Sequence, residues 1–247
     1  MWDPVRQNWI AEHRFYVEQA RKRLLSQFAN IGEEADRAAD EHIERQSFNP
    51  DVDDPSDFHE RAYEKSIEFY QLLSELQEQT RLSVIAGMYH MWDKKLREWM
   101  AREVKHWHVG DKLPRAIWEA QLSEVLELLS AFGFDVKALA VYKKIDSMRL
   151  VVNVFKHGDG TSLDELKATY PEFLPDPLGR GDLRRVDHLD HTSMKVSDED
   201  LEAFSEAIVD FWRIVPGEIC VNEAATVEVP KRFENAFKKD EAIAKRG

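Results

Sequence analysis

Apolar residues return every three or four positions along most of the chain, the spacing of a helix rather than a strand. After Pro4, residues Trp9, Ile10, His13, Val17, Ala20, Leu24 and Phe28 keep that spacing and predict a first helix reaching about Asn30. A charged helical stretch from about Glu33 to Gln46 ends at Asn49-Pro50, and the acidic run Asp51 to Asp57 reads as a surface loop whose Asp-Pro-Ser breaks one helix and caps the next. The longest periodic segment starts near Ser56 and carries Tyr63, Ile67, Tyr70, Leu73, Leu76, Leu82, Ile85, Tyr89, Trp92, Leu96 and Trp99. It reads as one helix or as two broken near Gly87, because an interior Gly costs about 1 kcal/mol against Ala without forbidding a helix.

Beyond a turn at His106 to Asp111, Pro114 opens a helix carrying Ile117, Leu122, Val125, Leu126, Leu128 and Leu129, which Gly133 stops. Asp135 is placed to cap the next helix, which runs to about His157, and Gly158-Asp159-Gly160 ends it before a short helix capped at Thr161 to Glu165. Pro171, Pro175, Pro177, Gly179 and Gly181 make Tyr170 to Ser197 a long irregular loop. Ser197 caps an amphipathic helix through Phe204, Ile208, Phe211, Trp212 and Val215; Ile219 to Val221 and Thr226 to Val229 are candidate strands of a minor β element, and a basic terminal helix follows. The expected fold class is therefore all-α, a bundle of six to eight helices. Three segments are expected: N-terminal helices and acidic loop over 1–55, a helical core over 56–216, and an extension over 217–247.

Composition narrows the function. The 247 residues are 43% hydrophobic with seven Trp, enough for a substantial core. A single cysteine, Cys220, cannot form an internal disulfide, so a reducing compartment is expected; with no signal peptide or run approaching a membrane span, the expected location is cytoplasmic. The net charge of −13 disfavours nucleic acid as a whole, but it is unevenly spread. Eleven acids between Glu33 and Glu60 face only Arg37 and Arg45, whereas Asp135 to His157 has five basic residues against two acids. A basic site on an acidic protein is thus compatible with the sequence. No P-loop, Rossmann or nucleophile-elbow motif is present.

The segment from Met148 to Gly158 carries the candidate chemistry. On a helix, Arg149, Asn153 and His157 drift by roughly 40° per step and Lys156 lies about 20° from Arg149, so all four share a face. Tyr142 and Asp146 extend the polar ribbon, while Val141, Ile145, Met148, Val151, Val152 and Phe155 cover the other sides. Histidine moves protons near neutral pH and cations stabilise charge building on a phosphate. The set suits metal-free RNA cleavage by 2′-hydroxyl attack, with His157 as base or acid, Arg149 or Lys156 stabilising the phosphorane, and Asn153 orienting groups. The plainer alternative is a solvated helix end whose Lys and His complement the helix dipole.

An all-helical chain with Asn153-x-x-Lys156-His157-Gly158 at a helix end resembles members of the HEPN superfamily (higher eukaryotes and prokaryotes nucleotide-binding domains), especially bacterial toxin and phage-defence types. The resemblance implies a HEPN-like bundle acting as a metal-independent endoribonuclease, commonly as a homodimer, with RNA as substrate and an antitoxin or other regulatory protein as partner, and with no cofactor or metal. In that family an Arg next to the polar residue precedes the His by about four to six residues. Asn153 and His157 match; Val152 stands where the Arg is expected, and Arg149 or Lys156 is left to replace it. The alternative is a catalytically inactive HEPN-like protein that binds nucleotide, RNA or a partner protein; a structural or regulatory all-α subunit fits the composition equally well.

Other constellations read as weaker. Asp187, His188, Asp190 and His191, with His106 and His108, are metal-type ligands on no regular scaffold. Arg180, Arg184 and Arg185 are candidate phosphate binders, but pairing with Asp182, Asp187 and Asp190 is the simpler expectation, and Trp92, Trp99 and Trp107 read as a core stripe rather than a stacking platform.

Overall fold

The computed structural model describes residues 1–45, 55–175, 189–219 and 228–245, with the side chains of 55, 56 and 58 left aside. These residues are all-α: α1 (Asp3–Arg23), α2 (Ile31–Arg45), α3 (Pro55–Val104), α4 (Lys112–Glu119), α5 (Leu122–Ala131), α6 (Tyr142–His157), α7 (Thr161–Thr169), α8 (Asp198–Ile214) and α9 (Lys231–Ala244). Short 3-10 turns at 25–28, 136–138, 171–173 and 191–193 join them. The candidate strands fall mostly on 220–227, outside the described residues, and no described residue is in a strand. Cys220, Asp187, His188, Arg180, Arg184 and Arg185 also lie outside them. No described helix is long and apolar enough to cross a membrane.

Two compact units are formed, one by 1–15 with 85–247 and one by 16–84. The first holds the aromatic core. On α8, Leu201, Phe204, Ile208, Phe211 and Trp212 recur at three- and four-residue spacing, and all are buried. Trp92 of α3 meets Phe211 edge to face at 5.3 Å and Trp9 meets Trp212 at 4.9 Å. Trp92 and Trp99 are core as expected, whereas Trp107 lies beyond the end of α3, half-buried, with its Nε1 donating to Ile219 O at 3.1 Å. Ser197 opens α8 with a reciprocal capping box: its Oγ accepts from the Asp200 amide at 3.1 Å and its own amide donates to Asp200 at 3.0 Å.

Gly87 does not break α3, which continues for 50 residues. Two other expectations are corrected. The periodic segment after Pro114 is two helices: Ala120 and Gln121 are extended, with ψ of 154° and 153°, and Gln121 and Glu124 form a capping box that starts α5 afresh. Asp135 does cap, accepting from the Lys137 amide at 3.0 Å, but it caps a 3-10 turn; extended Leu139 intervenes and α6 begins at Tyr142. The unit formed by 16–84 is less covered. Val17, Ala20, Ala35, Ala62, Leu82 and Val84 are buried in it, while Tyr63, Ile67, Tyr70 and Leu76, which share the periodic spacing of the buried half of α3, are exposed.

Inside the first unit, His13 is only 4% exposed and hydrogen-bonds Ser205 Oγ at 3.0 Å. Burial pulls its pKa down to about 4. The unfolded chain, titrating near 6.5, therefore binds the proton first on acidification, and stability falls as pH drops from 6.5 toward 4. We expect about 1 kcal/mol to be lost between pH 7.5 and 5.5, above the range where carboxylates titrate. Urea denaturation at both pH values checks this, and His13→Gln removes that increment if burial of His13 is its cause.

Candidate functional site

α6 is positioned by its apolar sides. Ile145, Met148, Leu150, Val151, Val152 and Val154 are buried, and the helix packs on α7 and α8. Gly158 ends it with φ of +71°, a left-handed conformation suited to Gly, and donates its amide to Val154 O at 2.8 Å. Packing three sides leaves Tyr142, Asp146, Arg149 and Asn153 facing a cleft of 560 Å³. Four residues of the predicted ribbon thus open to a cleft, and Val152, where the resemblance expects an arginine, is core.

Three other helices complete the cleft. Tyr89, His90, Asp93 and Arg97 come from α3, Gln121 and Ser123 from the start of α5, and Glu165 from α7. Arg97 is tied to structure: its Nε donates to Asp93 at 2.9 Å and its Nη1 to the Ile117 and Ala120 carbonyls at 2.7 and 2.8 Å, satisfying the end of α4.

Arg149 is likewise committed. Its Nε donates to Asp146 Oδ1 at 2.8 Å and its Nη2 to Glu165 Oε1 at 2.9 Å. Burial disfavours its charge, but Asp146 and Glu165 more than offset this and raise its pKa. Tyr170 donates to the second oxygen of Asp146 at 3.1 Å. Burial pushes the Tyr89, Tyr142 and Tyr170 hydroxyls up, with a nearby aspartate adding to each, so all three stay protonated.

Of the four residues singled out in α6, Arg149 and Asn153 line the cleft, while Lys156 and His157 are exposed in the last turn and do not. A second histidine is brought to that end. The ring of His191 lies against Gly158, where a Cβ would stand 3.7 Å from its Cγ. Asp159 holds it, with Oδ1 2.9 Å from both the His191 amide and its Nδ1. Those hydrogen bonds lower the Asp159 pKa. From the sequence His191 is a metal-type ligand; its contact with the end of α6 spans more than thirty residues and leaves no local signal. Its companions are used elsewhere: Asp190 accepts from the Thr192 amide at 2.9 Å and His108 pairs with Asp240 at 2.9 Å. Among the described residues no three His, Cys, Asp or Glu side chains gather as a metal site. No protein-family model, no curated protein and no solved structure matches the chain.

Proposed function

We propose that the exposed end of α6 is the active centre of a metal-independent, HEPN-like endoribonuclease. The observation that carries this reading is the packing of the Asp159-held His191 ring against Gly158, the residue that follows Lys156 and His157 in the chain, with Asn153 one turn back in the cleft. RNA cleavage by transesterification needs a base for the 2′-hydroxyl and an acid for the departing 5′-oxygen, and two imidazoles fill those roles. His157 takes the 2′-hydroxyl proton as O2′ attacks phosphorus, and His191, with its ring fixed by Asp159, protonates the 5′-oxygen as the P–O5′ bond breaks. The products are a 2′,3′-cyclic phosphate and a 5′-hydroxyl. Lys156 offsets the charge of the phosphorane, and Asn153 orients the ribose or base. Arg149, held by two carboxylates, positions the cleft wall through Asp146 and Glu165 rather than touching phosphate.

The test is incubation of purified protein with a mixed tRNA and messenger RNA pool in EDTA, followed by analysis of product ends. Cyclic phosphate ends formed without metal support the reading; intact RNA with a folded protein, alone and at dimer-forming concentrations, counts against it. A second reading, in which the cleft binds nucleotide, RNA or a partner protein without cleavage, is favoured by the pairing of Arg149 with Asp146 and Glu165. Under it RNA or nucleotide binds and His157→Ala leaves the affinity unchanged.

A further inference from the structure

The groove between α4 and α9 is a basic surface outside the candidate site. α4 packs along α9, and both turn an i, i+3, i+4, i+7 face to the groove: Lys112, Arg115, Ala116 and Glu119 from α4, and Arg232, Asn235, Ala236 and Lys239 from α9. Ala116 and Ala236 are buried and form its floor. Small residues there bring the two helices close and leave the long basic side chains as rims around a volume of 380 Å³. Four cations thus face one carboxylate in a protein whose net charge is −13.

Neutralisation within the fold is slight. Arg232 Nε lies 3.2 Å from Glu124, but Lys112, Arg115 and Lys239 are exposed and form no ion pair among the described residues. Holding like charges together without counterions is unfavourable and is relieved by an anion. One turn along from Arg115 stands Trp118, 45% exposed on the same helix. Cations spaced along two helices, with an exposed indole on the flank of α4 next to Arg115, match a chain of phosphates of which an unpaired base reaches over the rim to stack on the ring.

We infer that the α4–α9 groove is a docking site for the phosphodiester backbone of single-stranded RNA, with Lys112, Arg115, Arg232 and Lys239 on phosphates and Trp118 stacking a base. The inference shares its substrate class with the proposed function but uses none of its residues, so the two fail separately.

The experiment titrates a fluorescein-labelled 16-nucleotide single-stranded RNA with His157→Ala protein in EDTA over a series of salt concentrations. The variant Lys112→Glu/Arg115→Glu/Lys239→Glu is expected to bind about tenfold or more weakly at low salt, and its slope of log affinity against log salt to fall by about 2, at roughly 0.7 per phosphate contact. Trp118→Ala is expected to lose roughly fivefold or more and Trp118→Phe to retain affinity, a distinction that charge alone does not make. All four side chains are exposed, so thermal unfolding serves as the control for folding. Unchanged affinity and slope in the triple variant overturn the inference even when the parent cleaves RNA. Binding through the groove without cleavage by the parent upholds it and sinks the nuclease reading. Absence of RNA binding overturns it too. In that case, self-association at low salt abolished by the triple variant assigns the groove to an acidic segment of a second copy.

Discussion

Replacing His157 with alanine is expected to lower metal-independent RNA cleavage by about 10²–10⁴-fold, the range for loss of a positioned acid or base, and to leave thermal unfolding unchanged. The second half follows from exposure: the His157 side chain has no hydrogen bond to another described residue, and Gly158 supplies the left-handed conformation that ends α6. His191→Ala is expected to act similarly on rate, and the double variant to lose far less than the product of the two single effects, because a base without its acid partner contributes little. A pH–rate profile separates the roles. With base and acid both present the profile is bell-shaped; His157→Ala removes the limb on which the base must be deprotonated, and His191→Ala the limb on which the acid must be protonated. Asp159→Asn keeps the shape of the side chain but weakens its hold on the ring, so we expect an intermediate loss. If His157→Ala cleaves as fast as the parent, α6 does not supply the base and its polar face is a binding wall.

Local patterns were legible where the contacts they predict are local. The spacing from Tyr89 to Trp99 marked half of α3 as core, and Ser197 with Asp200 marked the start of α8. The same spacing failed at Tyr63, Ile67 and Tyr70, because periodicity shows that a helix has an apolar stripe but not whether anything covers it. It also ran unbroken through Ala120 and Gln121, where the backbone is extended and Arg97 of α3 donates to the Ile117 and Ala120 carbonyls. The candidate site divides in the same way. Helical geometry placed Arg149 and Asn153 on one face, and the structure puts that face on the cleft. It could not show that Glu165 and Tyr170 would claim Arg149 and Asp146, or that His191 would reach Gly158, since these contacts depend on how α7 and the following chain return to α6.

Asp240→Ala is expected to be the most damaging single substitution outside the aromatic core, at about 3–5 kcal/mol, the range for removing one partner of a buried charged network. Asp240 is 3% exposed on α9, and its carboxylate serves α4. Its oxygens accept from the Lys112 amide at 3.0 and 3.1 Å, from the Leu113 amide at 3.0 Å and from His108 Nε2 at 2.9 Å. These are the unpaired amides at the start of α4, which Asp111 at the N-cap leaves unserved by its side chain. Gly110 makes room for the carboxylate: with φ of +139° it passes so close that a Cβ would lie 2.2 Å from Asp240 Cγ, so Gly110→Ala is expected to destabilise by both clash and backbone strain. Burial pushes the Asp240 pKa up, yet the hydrogen bonds from His108, Leu113 and Lys112 outweigh it and hold the pKa below its ordinary 3.8. A depressed folded-state pKa contributes stability that is present above 3.8 and lost as pH falls below it, so the penalty of Asp240→Ala is largest near neutrality and shrinks in acid. Urea denaturation at pH 7 measures the loss, and hydrogen exchange locates it, since the Lys112 and Leu113 amides should lose protection before the rest of the fold. The same carboxylate holds α9 to the start of α4 and so keeps Arg232 and Lys239 facing Lys112 and Arg115. Asp240→Ala, which leaves those four cations in the sequence, is therefore expected to lower the salt slope of RNA binding as charge reversal does; an unaltered slope in a protein whose α4 amides have lost protection would separate the groove from the packing that we argue builds it.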